Sequence, residues 1–323
     1  MRSWLALGVF AVVSWLAACG GSSPQTPSSP PPTPDAALAT GTTLSVLSGE
    51  NGQSVGGARL VVAGRTYDAD ASGHVTLAER VPFGSFVDVV APGFLDRQTL
   101  IRQAGDTRFV LWPRTTTSGL SERYTTEIVY TAGTATPTPP GSSPLRRLRT
   151  GTTQVFVVLS EEIRQDSRAH LAHEEGVAML NAALAGRVVY ALAASRPASG
   201  IVFESRVDPA DPLCAENDRI LAFTVLNLQG EEATGGRVVF CESDATRREI
   251  VAHELAHTVG LQHSPDPREL MARFYTPASR RDFGSLEVLS MSLLLERHGG
   301  NRFPDNDRDV PASARGGVTI VCN

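Results

Sequence analysis

The sequence predicts two structural parts, a small all-β sandwich over residues 42–115 and a mixed α/β domain over residues 116–323. Three observations carry that prediction. Short runs of Val, Leu, Phe and Thr, broken by turn residues, fill Thr42–Pro113. Apolar residues then recur at helical spacing in Asp166–Ala185, Ala245–Val259 and Gly284–Arg297. Between and beside those helices lie further strand-like runs. A chain of 323 residues has room for about two domains. Its hydrophobic fraction of 41% and charged fraction of 20% suit a folded core. A net charge of −5 provides no basic footprint, so nucleic acid is excluded as an expected partner.

The chain opens on a segment that does not belong to either part. Arg2 supplies a positive start, and Trp4–Ala18 is apolar and free of charge. That run is short for a membrane span and has the layout of a secretory signal. It ends in Leu16-Ala17-Ala18-Cys19-Gly20, which resembles the lipobox of bacterial lipoproteins. The resemblance implies a signal peptide over 1–18 and acylation of Cys19. It places the protein in a bacterial cell envelope, periplasmic or on the outer surface, with the membrane as a partner. Each buried CH₂ of the acyl chains contributes about 0.8 kcal/mol to such an anchor. An ordinary cleaved signal is the alternative. Residues 19–41 are expected to form a disordered tether, because the Ser, Pro, Gly and Thr of Gly20–Pro34 bury too little surface to offset their entropy.

In the β part, runs at Thr43–Leu47, Ala58–Val62, His74–Leu77, Phe86–Val90 and Thr107–Leu111 are punctuated by turns. Gly49-Glu50-Asn51-Gly52, Asp70-Ala71-Ser72-Gly73 and Ala91-Pro92-Gly93 supply the turn chemistry. Val55-Gly56-Gly57-Ala58 and Tyr67-Asp68-Ala69-Asp70-Ala71-Ser72-Gly73 give the segment a resemblance to carboxypeptidase-regulatory-like domains. Such domains are accessory, and no chemistry is expected here.

The α/β part is expected to hold strands at Thr153–Leu159, Gly200–Phe203, Arg219–Leu226 and Arg237–Phe240. The helix Ala245–Val259 carries His253 and His257 four residues apart, hence on one face and one turn apart. Two imidazoles so placed can reach one Zn²⁺ at about 2.0–2.1 Å. Gly260 lets the backbone leave the helix with positive φ, which brings His263 round as a third ligand. Three protein ligands leave one position open, the mark of a catalytic zinc site. Glu254 lies between the first two ligands, where it can take a proton from water. From composition, a Gly and a His at both required offsets arise by chance about 0.002 of the time.

His253-Glu254-Leu255-Ala256-His257-Thr258-Val259-Gly260-Leu261-Gln262-His263 resembles the HExxHxxGxxH signature of the metzincin metallopeptidases, and Ser264 after the third His makes it matrixin-like. The resemblance implies an α/β zinc peptidase domain holding one catalytic zinc ion on His253, His257 and His263. It makes Glu254 the general base and Met271, in Leu270-Met271-Ala272, the apolar Met-turn beneath the metal. It also implies a substrate-pairing edge strand before the motif helix, a place that Arg237, Val238, Val239 and Phe240 occupy, with an interior strand as the alternative reading. Arg273 stands where some metzincins carry a tyrosine ligand, so that ligand is not carried over. No propeptide with a cysteine switch is visible in the sequence.

Other features point to no chemistry. His170 and His173 lie near Glu174 and Glu175 and read as a solvated helix face. Asp305-Asn306-Asp307-Arg308-Asp309 lacks the glycine and distal glutamate of a calcium loop and reads as a polar turn. Cys214, Cys241 and Cys322 form no CxxC pair. In an exported chain one disulfide is expected, preferably Cys214–Cys241, with one thiol left over. The expected function is zinc-dependent endopeptidase, acting on protein or peptide substrates. The alternatives are a catalytically vestigial binding lipoprotein and a zinc amidase of cell-wall peptides. Oligomeric state is left open.

Overall fold

Alternation of apolar and polar residues builds the first part of the molecule. The computed structural model describes residues 36–131, 139–217, 219–307 and 315–322. The expected signal over 1–18 and Cys19 lie outside those residues. Nine short strands come first: β1 (Ala37–Leu38), β2 (Thr43–Ser48), β3 (Arg59–Val62), β4 (Arg65–Asp68), β5 (His74–Thr76), β6 (Val81–Pro82), β7 (Phe86–Val90), β8 (Arg97–Leu100) and β9 (Arg108–Leu111). They form a sheet in the order β5-β2-β9, a second in the order β4-β3-β7-β8, and the pair β1-β6. Leu44 and Val46 of β2, Leu60 and Val62 of β3, Val87 and Val89 of β7, and Phe109 and Leu111 of β9 bury into one shared cluster. Each such side chain contributes about 1.5–3 kcal/mol by leaving water. Residues 36–41, expected in the tether, belong to this fold instead: β1 pairs with β6 and Leu38 is buried.

The second part is a mixed sheet with helices. In chain order it contains α1 (Glu122–Tyr130), β10 (Arg147–Leu148), β11 (Gln154–Leu159), α2 (Glu161–Gln165), α3 (Ser167–Leu184), β12 (Val189–Ala193), β13 (Ile201–Val207), α4 (Pro212–Glu216), β14 (Ala222–Gln229), β15 (Glu232–Phe240), α5 (Arg248–Val259), α6 (Ser285–Leu295) and β16 (Arg315–Cys322). The strand order is β12-β11-β13-β15-β14-β16, and β10 pairs with the start of β15. β12, β11, β13 and β15 run parallel. β14 is antiparallel to β15, and β16 is antiparallel to β14.

This order corrects one expectation. Arg237, Val238, Val239 and Phe240 do not form an edge strand. They are the last residues of β15, hydrogen-bonded to β13 on one side and to β14 on the other. Val238, Val239 and Phe240 are buried, as a strand covered on both faces should be.

α3 begins where the Asp166 side chain accepts from the backbone N–H of Arg168 and Ala169, an N-cap. It ends at Ala185, which takes φ of 48°. Its buried face packs on α5 at Gly176, where an added Cβ would stand 2.8 Å from Val251 Cγ1. His173 faces inward too. It is buried, with ring nitrogens 2.7 Å from the Ala169 carbonyl and 2.8 Å from Ser205 Oγ, so it is not part of a solvated face. α5 starts at Arg248 rather than Ala245, because Ser243–Thr246 winds as a 3₁₀ turn and Arg247 is extended. Every residue from Glu249 to Val259 is buried, so this helix runs through the interior and shows no amphipathic stripe.

Asp305 and Asp307 are likewise not a polar turn. Both are completely buried, as is Arg297. Asp305 accepts a bidentate pair from Arg297 at 2.8 and 2.7 Å, and Asn301 donates to both aspartates. Arg97 of β8 stands 3.6 Å from Asp307, and Thr99 donates to it at 3.2 Å. A buried charge network thus crosses position 115 and joins the first sheets to the residues after α6. Cys214 and Cys241 form a disulfide, 27 residues apart, which leaves Cys322 as a buried free thiol. Closing a loop of that length contributes about 3–4 kcal/mol in the chain-entropy account. Among the described residues, no helix is long and apolar enough to cross a membrane.

Candidate metal centre

Gly260 decides where α5 ends and where the third histidine goes. Its φ is 126°, and a Cβ there would lie 2.1 Å from the Arg146 carbonyl oxygen. Only glycine fits both demands. The chain turns there, and Leu261 brings its carbonyl back to 2.7 Å from His257 Nδ1. His253 Nδ1 lies 2.6 Å from the Leu270 carbonyl. A carbonyl can only accept, so each Nδ1 carries the proton and each Nε2 is left with a bare lone pair.

Those Nε2 atoms converge. His253 Nε2 and His257 Nε2 stand 3.1 Å apart, and His263 joins them with its ring centroid 4.9 Å from that of His257. A fourth group is present that the sequence left unassigned. Cys322 Sγ lies 2.9 Å from His253 Nε2 and 3.3 Å from the Nε2 of both His257 and His263. The four potential ligand atoms all lie within 4.8 Å of one another. Burial holds the imidazoles neutral: His253 is pushed down to about 4, and His257 and His263 fall well below the usual histidine range. Burial pushes the Cys322 thiol up, and the neighbouring Glu254 charge adds to that.

The two Nε2 lone pairs face each other at 3.1 Å with the Cys322 sulfur within 3.3 Å of both, a nest of donor atoms that a single cation could bridge. The donor set, three neutral imidazole nitrogens and a thiol, is the nitrogen and sulfur set that Zn²⁺ favours. The residues therefore fit the ion that the sequence motif implies.

Glu254 is completely buried beside this cluster. Its Oε2 accepts from the Thr224 hydroxyl at 2.7 Å, while Oε1 is buried without a hydrogen-bond partner. Burial raises its carboxyl to about 7, with Cys322 and Thr224 pulling the other way. Thr224 sits on β14, so the sheet positions the acid that the helix carries.

Met271 is fully buried in the main core. Its backbone is held from three sides. Ser264 N–H donates to the Met271 carbonyl at 2.7 Å, Met271 N–H donates to Glu287 Oε1 at 2.6 Å, and the adjacent Leu270 carbonyl holds His253. Glu287 also accepts from Gly284 N–H at 2.5 Å. Glu269 accepts from Ser264 Oγ at 2.5 Å and from the Tyr124 hydroxyl. Tyr275 donates to Glu249 at 3.0 Å under the Arg247 guanidinium, and its side chain lines the small cavity beside His253, Glu254 and Cys322.

Sequence reasoning missed Cys322, Thr224, Glu287 and Glu269. The leftover thiol was the one available signal for Cys322. A lone acid at position 287 among Leu286, Val288, Leu289 and Met291 was the signal for Glu287. Truncating Glu287 to alanine strips the acceptor from two buried N–H groups. Denaturant unfolding should show a loss of about 2–3 kcal/mol. Competition with a chelator should show metal affinity weakened about 10–100-fold, as for other supports of a ligand.

Residues 158–288 match the sequence model of the Matrixin family of peptidases, about two fifths of the chain. No curated protein matches the chain. Among solved structures, a zinc-dependent peptidase from Methanocorpusculum labreanum (strain Z) aligns with a TM-score of 0.28 and 13% identity, over 42% of this chain and 99% of its own. From β11 to α6 this chain is similar to the matrixin zinc metallopeptidases, and the match includes the three clustered histidines and excludes Cys322.

Proposed function

We propose that the protein is a zinc-dependent endopeptidase, with His253, His257 and His263 as ligands of one zinc ion and Glu254 as general base. The observation that carries this reading is the convergence of three histidine rings, two of them with Nε2 bare because Nδ1 donates to a carbonyl, beside a buried carboxyl. Bound at these nitrogens, zinc would polarise a scissile carbonyl and acidify the attacking water. The remaining work falls to the chain. Thr224 fixes Oε2 of Glu254, which leaves the unpartnered Oε1 to receive the water's proton. That oxygen can take the proton and release it to the departing amine. The Leu270 and Leu261 carbonyls hold the His253 and His257 rings in orientation. Met271 supplies the apolar floor. Protein or peptide is the substrate, and acylated Cys19 would keep the enzyme at the cell envelope.

Metal analysis of the full-length chain tests the ligand set. The expected result is one zinc per wild-type chain and a zinc on His257→Ala that a chelator removes far more readily, with an unchanged far-ultraviolet spectrum. A wild-type chain that takes up no zinc contradicts the proposal.

A further inference from the structure

Strand β16 stands where a substrate should. β14 carries Thr224, the residue that holds Glu254, and without β16 it would be the sheet edge nearest the imidazoles. Extended peptides bind by adding a strand to such an edge. β16 takes up that edge along its whole length, from Ala222 opposite Cys322 to Gln229 opposite Arg315. Side chains alternate across it. Ile320 packs into the main core, while Val321 joins Phe223 and Val239 on the other face. The same register delivers Cys322 to the metal centre, where its sulfur touches all three Nε2 atoms. The attacking water needs this position, beside both the imidazoles and Glu254. The disulfide between Cys214 and Cys241 leaves Cys322 no cysteine partner among the described residues.

We propose that β16 is a built-in inhibitor, a strand of this chain seated in the peptide groove with the Cys322 sulfur as a fourth zinc ligand. The inference rests on the zinc peptidase reading above. On binding, the thiol loses its proton to solvent, a zinc–sulfur bond forms, and the water it replaces leaves. Three ligands and one open position become four ligands and none, so the site is closed until the strand departs.

Cobalt serves as the probe, in the full-length wild type, Cys322→Ala and Cys322→Ser. Wild type should show a near-ultraviolet sulfur-to-cobalt charge-transfer band. Both variants should bind one cobalt and lack the band. Cys322→Ala should hydrolyse a quenched-fluorescence peptide at least about tenfold faster than wild type, the gain expected if nine chains in ten are closed. A variant that fails to fold is replaced by wild type stripped of metal, blocked at the thiol with methyl methanethiosulfonate and recharged with cobalt. Bound cobalt without the band in wild type overturns the inference and leaves the peptidase reading intact. So does a cobalt-loaded Cys322→Ala that cleaves at the wild-type rate. Cobalt uptake by none of the chains, or no cleavage by any of them, overturns the peptidase reading and the inference with it.

Discussion

Replacing Gly260 with alanine is expected to destabilise the fold by about 3 kcal/mol or more and to abolish zinc binding at micromolar metal. Two independent costs add. A φ of 126° lies where L side chains are strained, by about 1–3 kcal/mol. The new Cβ would also stand 2.1 Å from the Arg146 carbonyl, a backbone atom on the strand side that has no free rotamer to yield with. Relief requires the chain after Val259 to leave by another path. That path carries the Leu261 carbonyl, which orients His257, and then His263 itself. Denaturant unfolding and metal analysis on the same preparation check this. A Gly260→Ala chain of wild-type stability with one zinc would show that the tight exit from α5 is dispensable.

The second large effect lies away from the histidine cluster. Asp305→Ala should destabilise the fold by about 3–5 kcal/mol, because it leaves the fully buried Arg297 without its carboxylate. Arg297 cannot shed its proton to escape, and Arg97 nearby repels it. Its Nη1 already lacks a partner. Asn301 would lose an acceptor as well. The midpoint of denaturant unfolding measures this directly. A shift equivalent to less than about 1 kcal/mol would mean that water enters and solvates Arg297.

What was readable in the sequence follows from how far each signal extends. The turn from α5 to His263 is encoded within eleven residues, so His253, Glu254, His257, Gly260 and His263 could all be named from spacing alone. The Cys214–Cys241 pair sits within one local region and was readable for the same reason. Features made by distant pairing were not. Asp307 reads as solvated until Thr99, 208 residues upstream, and Arg97 are brought against it. Cys322 reads as an odd thiol until β16 pairs with β14, which sets it 59 residues past His263 yet 3.3 Å from its Nε2. The Arg237–Phe240 strand reads as an edge strand because it precedes the motif helix. The hairpin of β14 and β15 reverses that: β14 comes earlier in the chain and lies further out. Sequence order alone does not tell which arm of a hairpin is exposed.

The most direct test of the central claim compares Cys322→Ala with the double variant Cys322→Ala/Glu254→Gln, measuring zinc per chain and peptide hydrolysis on the same samples. Removing the thiol frees the fourth zinc position, so that the contribution of Glu254 can be read. The account predicts one zinc in both and a rate lower by about 10²–10⁴-fold in the double variant, the span typical of a lost general base. Equal rates in the two chains, or no hydrolysis by a zinc-loaded Cys322→Ala, would contradict it.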